Sequence, residues 1–261
     1  MGKIRDAIMT AKSEGKTAFI PFITFGYPDI ETSEALIRMF SDIGVTCLEL
    51  GLPFSDPVAD GPVIQQASYT ALKNGVTLEK LVASLKKMRA GLNMPVAVMT
   101  YYNLLLGPGL ERFFSMTGGL VDGLIIPDLL PEEAAVMRRL AAGYDMDTVF
   151  FIAPTTEPGR YSSIDRASSG FVYYVSVTGT TGARREFDND VFAQLADVRG
   201  RLTAPVCAGF GISTPDHVRA FTPACDGVIV GSAFMKTIAE APDREEAVER
   251  ARRLALWLMN G

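Results

Sequence analysis

The chain has 261 residues, 48% of them hydrophobic, and 30 acidic against 25 basic side chains give a net charge of −5. No Lys/Arg cluster alternates with aromatic residues, which argues against nucleic-acid binding, and every aliphatic run falls short of the ~18 residues a membrane span needs. Cys47, Cys207 and Cys225 have no metal or redox spacing, and a single histidine, His217, excludes the common His-rich metal sites.

The N-terminus, Met1-Gly2-Lys3-Ile4-Arg5-Asp6, lacks the apolar core and small-residue cleavage site of a signal peptide and reads as a short amphipathic helix with Ile4 and Ile8 on one face. From there, apolar β-type runs at 18–24, 46–50, 96–100, 123–127, 147–153, 171–175, 205–208 and 226–230 alternate with amphipathic segments at 29–43, 78–91, 110–116, 131–142, 159–167, 188–198, 214–221 and from 232 to 258. Pro131-Glu132-Glu133, with Arg138-Arg139 further on, reads as a helix with proline in its first turn and charges matched to its dipole. His217 follows Thr214-Pro215-Asp216, a helix-start signal, and is expected on a surface helix. Eight strand–helix units at this length predict a closed (β/α)8 TIM barrel in one domain, 1–261, with the additional N-terminal helix capping its bottom. The first βα turn, Thr24-Phe25-Gly26-Tyr27-Pro28, lacks the G-x-G-x-x-G pattern of an open dinucleotide-binding sheet. The cysteines, all in or beside apolar runs, are expected as buried free thiols in a reducing cytoplasm.

In barrels the active face is built from the loops after the strands, with phosphate often held after strands 7 and 8. Those loops read Gly209-Phe210-Gly211-Ile212-Ser213 and Gly231-Ser232-Ala233, each leading into a helix. Glycine is ordinary in turns, but two such loops at these two positions point to a phosphorylated small molecule. The segment after strand 6, Ser176 to Arg184, is rich in small residues and could contribute the Gly182 N–H.

On the same face Glu49 sits in the apolar run Cys47-Leu48-Glu49-Leu50, and Asp60 ends the Pro/Gly/Asp-rich loop that follows. A buried Glu is either paired with a cation or kept for chemistry. Asp60 is either a turn cap or Glu49's partner, and Asp128 a second polar layer or a helix entry. Tyr173 and Tyr174 alternate, so one points inward; Phe22 and Tyr101 suit an apolar wall. No lysine lies in a strand run, which leaves a Schiff-base aldolase without its amine, and a metal-dependent aldolase lacks His ligands. Proton transfer by carboxylates of unequal pKa remains.

The run from Leu48 to Gln65, with Pro21-Phe22-Ile23-Thr24-Phe25-Gly26-Tyr27-Pro28-Asp29, Met99-Thr100-Tyr101-Tyr102-Asn103, Pro127-Asp128-Leu129-Leu130-Pro131-Glu132-Glu133, Tyr173 to Gly182, Gly209-Phe210-Gly211-Ile212 and Gly231-Ser232-Ala233, resembles the tryptophan synthase α subunit family over the whole chain. The resemblance implies cleavage of indole-3-glycerol phosphate to indole and D-glyceraldehyde 3-phosphate in L-tryptophan biosynthesis. It implies no metal and no cofactor in this chain, and an α2β2 heterotetramer whose β subunit carries pyridoxal phosphate. By matching position it makes Glu49 and Asp60 the acid/base pair, with Tyr173 assisting. Phe22, Leu50, Tyr101, Ile125 and Phe210 would lie near the indole, and Gly182, Gly211, Gly231 and Ser232 would bind phosphate. Asp56, Pro57 and Asn103 look like partner-facing and closure-coupling positions.

Two departures stand out: Ile125 where relatives often have Leu, and Leu104-Leu105-Leu106-Gly107-Pro108-Gly109 in place of a more polar or aromatic stretch. Leu105 and Leu106, apolar in an expected loop, suit a buried interface. The rival readings are a stand-alone indole-3-glycerol phosphate lyase, a non-catalytic sugar-phosphate-binding barrel, and a phosphosugar isomerase, the last disfavoured by the lack of a His or Lys base at a strand end.

Overall fold

The computed structural model describes residues 2–175, 189–209 and 211–260. Eight parallel strands close on themselves in sequence order: β1 Ala18–Thr24, β2 Leu48–Gly51, β3 Val96–Met99, β4 Gly123–Ile125, β5 Asp147–Ile152, β6 Val172–Val175, β7 Val206–Gly209 and β8 Gly227–Val230. Each expected strand is present within a residue or two of its predicted position.

Alternation along the strands divides the apolar residues into two clusters. Ala18, Ile20, Cys47, Ala97, Ile125, Val149, Phe171, Tyr173, Cys207 and Ile229 fill the barrel interior. Phe19, Ile23, Leu48, Leu50, Val98, Leu124, Phe150, Val172, Tyr174, Val206 and Val228 face the surrounding helices. Both faces of every strand are therefore covered, which is why the strands read as continuous apolar runs and not as alternating ones. All three cysteines are buried and free.

The N-terminal helix, Lys3–Ser13, closes the bottom of the barrel. Ile4 and Ile8, both fully buried, join the interior cluster. Three buried aspartates at the strand starts anchor this helix. Asp147 accepts the Ile4 N–H, Asp122 takes Lys3 and Arg89, and Asp226 takes Lys12 and Arg199. Burial pulls the Asp226 carboxyl up, but Lys12, the Val206 N–H and Arg199 outweigh it and hold the group below the usual carboxylate range.

The helical layer departs from expectation in four places. Pro62–Lys73 is a helix that the sequence reading passed over, with Pro62 at its first turn. Tyr102–Leu106 is a short helix and not a loop. The segment expected to begin at Pro131 starts its helix at Ala135, after a turn. The last segment divides into Ser232–Ala239 and Arg244–Asn260 around Pro242, which cannot continue a helix.

Candidate active site

At the C-terminal ends of the strands lies a cavity of about 280 Å³. Its lining joins the two halves of the barrel: Glu49 and Asp60 on one side, Gly211, Ser213, Gly231 and Ser232 on the other. Apolar walls come from Phe22, Ile64, Met99, Phe151, Ile212 and Ile229, and Tyr173 also faces in.

Strand alternation brings Glu49 here. It pairs with Phe22 of β1 and Ala97 of β3 and points into the barrel. The carboxyl is 1% exposed, and its Oε2 is buried with no hydrogen-bond partner. Among the described residues it forms no ion pair, and no Arg or Lys lines the cavity it faces. Burial, then the nearby Asp60, pushes its pKa up to about 8, so at neutral pH most of it is protonated.

Asp60 is 6% exposed and sits at the end of the loop after β2, just before the helix Pro62–Lys73. It does not act as a turn cap: its Oδ2 accepts the Tyr101 hydroxyl at 3.0 Å. Burial raises its pKa to about 6, while the Tyr101 hydrogen bond pulls the other way. The two carboxyls thus differ in preferred state, one neutral and one ionised at pH 7.

Tyr101 is the residue whose place differs most from a wall. Its hydroxyl donates to Asp60 and accepts from the Ala59 N–H at 3.0 Å, and its ring stacks on Phe54 at 5.1 Å. It fixes the loop that carries Asp60, and Met99 supplies the apolar surface on that side. Leu50 is also displaced from its expected role. One position along from Glu49, it points outward into the helix-facing cluster, away from the cavity. Ile125 packs in the barrel interior without lining the cavity. Tyr173 points inward and stacks on Phe151 at 5.0 Å, while Tyr174 points outward and bonds Gln194. Tyr173 can reach its place because β7 carries glycine beside it; a Cβ at Gly209 would collide with the Tyr173 hydroxyl.

The phosphate-side loops share the same cavity. Gly211 has φ +79°, a left-handed conformation glycine adopts freely. Gly231 is the N-cap residue of the helix Ser232–Ala239, so Ser232 opens that helix and its free N–H groups face outward from its positive end. Gly182 and Phe210 lie outside the described residues.

Among the partner-facing candidates, Asp56, Asn103 and Leu106 are exposed and Pro57 is half-buried. Leu105 is not available to a partner: it is fully buried in this chain's own core, because Tyr102–Leu106 is helical and turns that side chain inward. Leu130, 51% exposed, was not anticipated and adds an apolar group to the rim. Asp128 caps the start of the helix Tyr102–Leu106 by accepting the Tyr102 N–H at 2.9 Å, a helix-entry role. His217 lies in the helix Pro215–Phe221, half-buried, and its Nδ1 accepts the Ser213 N–H.

Phe151, Met99, Ile64 and Ser213 line the cavity without having been singled out. The signal for Phe151 and Met99 was present in strand parity, two residues on from the interior positions Val149 and Ala97. Ile64 had no such signal, because the helix that carries it was not recognised. Ser213 stood in the quoted glycine loop and was passed over.

A closed barrel whose two buried carboxyls face glycine-rich loops across one cavity at the strand C-termini has the architecture of a barrel enzyme for a small molecule. The family model for the tryptophan synthase alpha chain matches residues 8–258. The tryptophan synthase alpha chain of Geobacter sulfurreducens is 41% identical, over 99% of this chain and 97% of its own. That of Roseiflexus castenholzii is 42% identical over 96% and 97%. Among solved structures, a chain of the tryptophan synthase a2b2 complex of Pyrococcus furiosus superposes with a TM-score of 0.87 at 36% identity, covering 94% of this chain and 99% of that one. The chain belongs to the tryptophan synthase alpha chain family, lyases that release indole and D-glyceraldehyde 3-phosphate from indole-3-glycerol phosphate in L-tryptophan biosynthesis.

Proposed function

We propose that Glu49 and Asp60, assisted by Tyr173, carry out this retro-aldol cleavage. The observation that carries the reading is Glu49 itself: a buried carboxyl with its Oε2 unpartnered, facing a cavity that it shares with Asp60 and the phosphate-side loops. Indole resists cleavage until its C3 becomes tetrahedral. Protonated Glu49 delivers its proton to C3, and the positive charge that appears on the ring nitrogen is balanced by the Asp60 carboxylate, which accepts the indole N–H. Glu49, now ionised, takes the proton of the glycerol hydroxyl next to C3. The C–C bond breaks, its electron pair restores the aromatic ring, the hydroxyl carbon becomes the aldehyde, and Glu49 ends protonated as it began.

Phe22, Met99, Ile64 and Phe151 provide apolar surface for the ring. Tyr173 orients the glycerol chain. Gly211, Gly231 and Ser232 hold the phosphate by N–H groups and the hydroxyl, with Gly182 as a further donor. Every step uses side chains of this chain, so the reaction needs no metal and no cofactor here.

Half-buried Pro57 and the exposed groups Asp56, Asn103 and Leu106 form the face toward a β subunit in an α2β2 heterotetramer, with pyridoxal phosphate in that β subunit. The assembly named for the Pyrococcus furiosus relative supports this reading. The protein works in the cytoplasm: its cysteines are unpaired, and among the described residues no helix is long and apolar enough to cross a membrane.

Incubation with indole-3-glycerol phosphate, following indole release with and without a β subunit, tests the reading. Indole release that the β subunit accelerates is expected; phosphate-ester binding without turnover in either condition rejects it.

A further inference from the structure

We propose that Thr24 is a positioning residue for Asp60, acting through one water held in a side cavity next to the main one. The proposal rests on the reading of Asp60 given above and adds a residue to it.

Thr24 ends β1, two positions beyond Phe22 and on the same face. It is 1% exposed, and its Oγ1 is buried with no hydrogen-bond partner among the described residues. A buried hydroxyl rarely stays unpaired, because it has given up water for nothing in return. Thr24 faces a side cavity of about 10 Å³, which it lines together with Ser68, Tyr101 and Asp60. In this measure a void of roughly 10–15 Å³ holds a single water, provided two to four polar groups surround it. An apolar pocket of the same size would stay dry; this one offers two hydroxyls, a phenol and a carboxylate.

The hydrogen-bond inventory sets the water's orientation. The Tyr101 hydroxyl has spent its proton on Asp60 Oδ2 and accepts the Ala59 N–H. The water therefore accepts from the Thr24 hydroxyl and donates to the Asp60 carboxylate. Asp60 lines both cavities, so its other side remains open to substrate.

The arrangement matters because no cationic side chain among the described residues lines either cavity that Asp60 faces. The titratable groups around it are Glu49 from β2, Tyr101 after β3 and Tyr173 from β6, and among the described residues neither cavity is lined by a Lys, Arg or His. Hydrogen bonds are then the means left to favour ionised Asp60. Thr24 supplies one from the first strand, tying the loop after β2 to a rigid element.

Four measurements decide this. A high-resolution crystal structure of the wild-type protein should show a water within hydrogen-bond distance of Thr24 Oγ1 and Asp60. Thr24→Val, which keeps shape and removes the hydroxyl, should lower kcat/KM about 10-fold, the scale of one hydrogen bond to a charged group. It should also move the acidic limb of the pH profile upward by about one unit. Thr24→Ser should restore both. An empty side cavity, an unmoved acidic limb in a folded Thr24→Val, or a Thr24→Ser as impaired as Thr24→Val overturns the proposal. The water and the Asp60 titration, followed by carbon NMR, are read without substrate. They stand apart from the outcome of the indole-release assay, so failure of the reaction assignment and failure of this inference give different results.

Discussion

Glu49 owes its behaviour to four neighbours. Leu48 and Leu50 face the helices and leave the acid alone on the inner side of β2, Phe22 covers it from β1, and Asp60 adds a like charge. A group that serves first as acid and then as base needs a pKa near the working pH. Activity should therefore follow a bell: an acidic limb near 6 as Asp60 ionises and an alkaline limb near 8 as Glu49 loses its proton, the two belonging to the coupled pair. Glu49→Gln should lower kcat by roughly 10²–10⁴-fold with a much smaller change in KM, the scale of a general acid–base group. Turnover near the wild-type rate would remove Glu49 from the mechanism.

The same shift has a stability consequence. A carboxyl whose pKa rises on folding binds more protons folded than unfolded, so stability is fully present below the unfolded pKa, near 4.5, and is lost as pH rises through about 8. Above that, the buried charge costs on the order of a few kcal/mol. Glu49→Gln should match wild type in urea unfolding at pH 4 and exceed it at pH 9. Equal stability at both would show that Glu49 ionises without penalty.

At the scale of elements, chemistry and anchoring occupy opposite ends of the same strands. Asp122, Asp147 and Asp226 at the strand starts receive the N-terminal helix and its basic residues, while Glu49, Tyr173 and the glycine loops occupy the other end. Ile4→Ala, which empties a fully buried position beneath the barrel, should destabilise by about 2–5 kcal/mol. Because Ile4 is remote from the cavity, kcat/KM measured well below the unfolding temperature should stay within about twofold of wild type. Gly209→Ala reverses that pattern. Its methyl group meets the Tyr173 hydroxyl, so Tyr173 must leave its stack on Phe151. We expect loss of activity greater than any loss of melting temperature, read from indole release and calorimetry on the same sample.

At the scale of the whole molecule, the rim proposed to face a partner is continuous with the loop that carries Asp60. The ten-residue stretch from Leu52 to Gly61 carries Pro57 and exposed Asp56 before it returns Asp60 to the cavity, and Tyr101 pins its end one residue before the helix Tyr102–Leu106. A partner that presses on Asp56, Pro57 and Leu106 would thus act on the two segments that hold Asp60. Leu106→Asp should weaken association with the β subunit at least 10-fold, about the cost of placing a charge in an apolar contact, and leave the isolated chain's own slow turnover unchanged. Association can be measured by calorimetry.

The barrel, its eight strands, the bottom helix, the buried thiols and the presence of two carboxyls on the active face were legible from local signals along the chain. Apolar runs, glycines after strands and a Glu among leucines are local signals, and each reports a local cause. Direction and partnership came only with the packed fold. Parity within β2 turned Leu50 away from the cavity that Glu49 enters. A short helix took Leu105 into the core, and a hydrogen bond across 41 positions made Tyr101 the support of Asp60 and not a wall for substrate. The helix that brings Ile64 to the site gave no strong periodic signal, because it begins directly from the proline-rich loop. The states of the two acids depend on burial and on their shared cavity, which exist only once the barrel has closed.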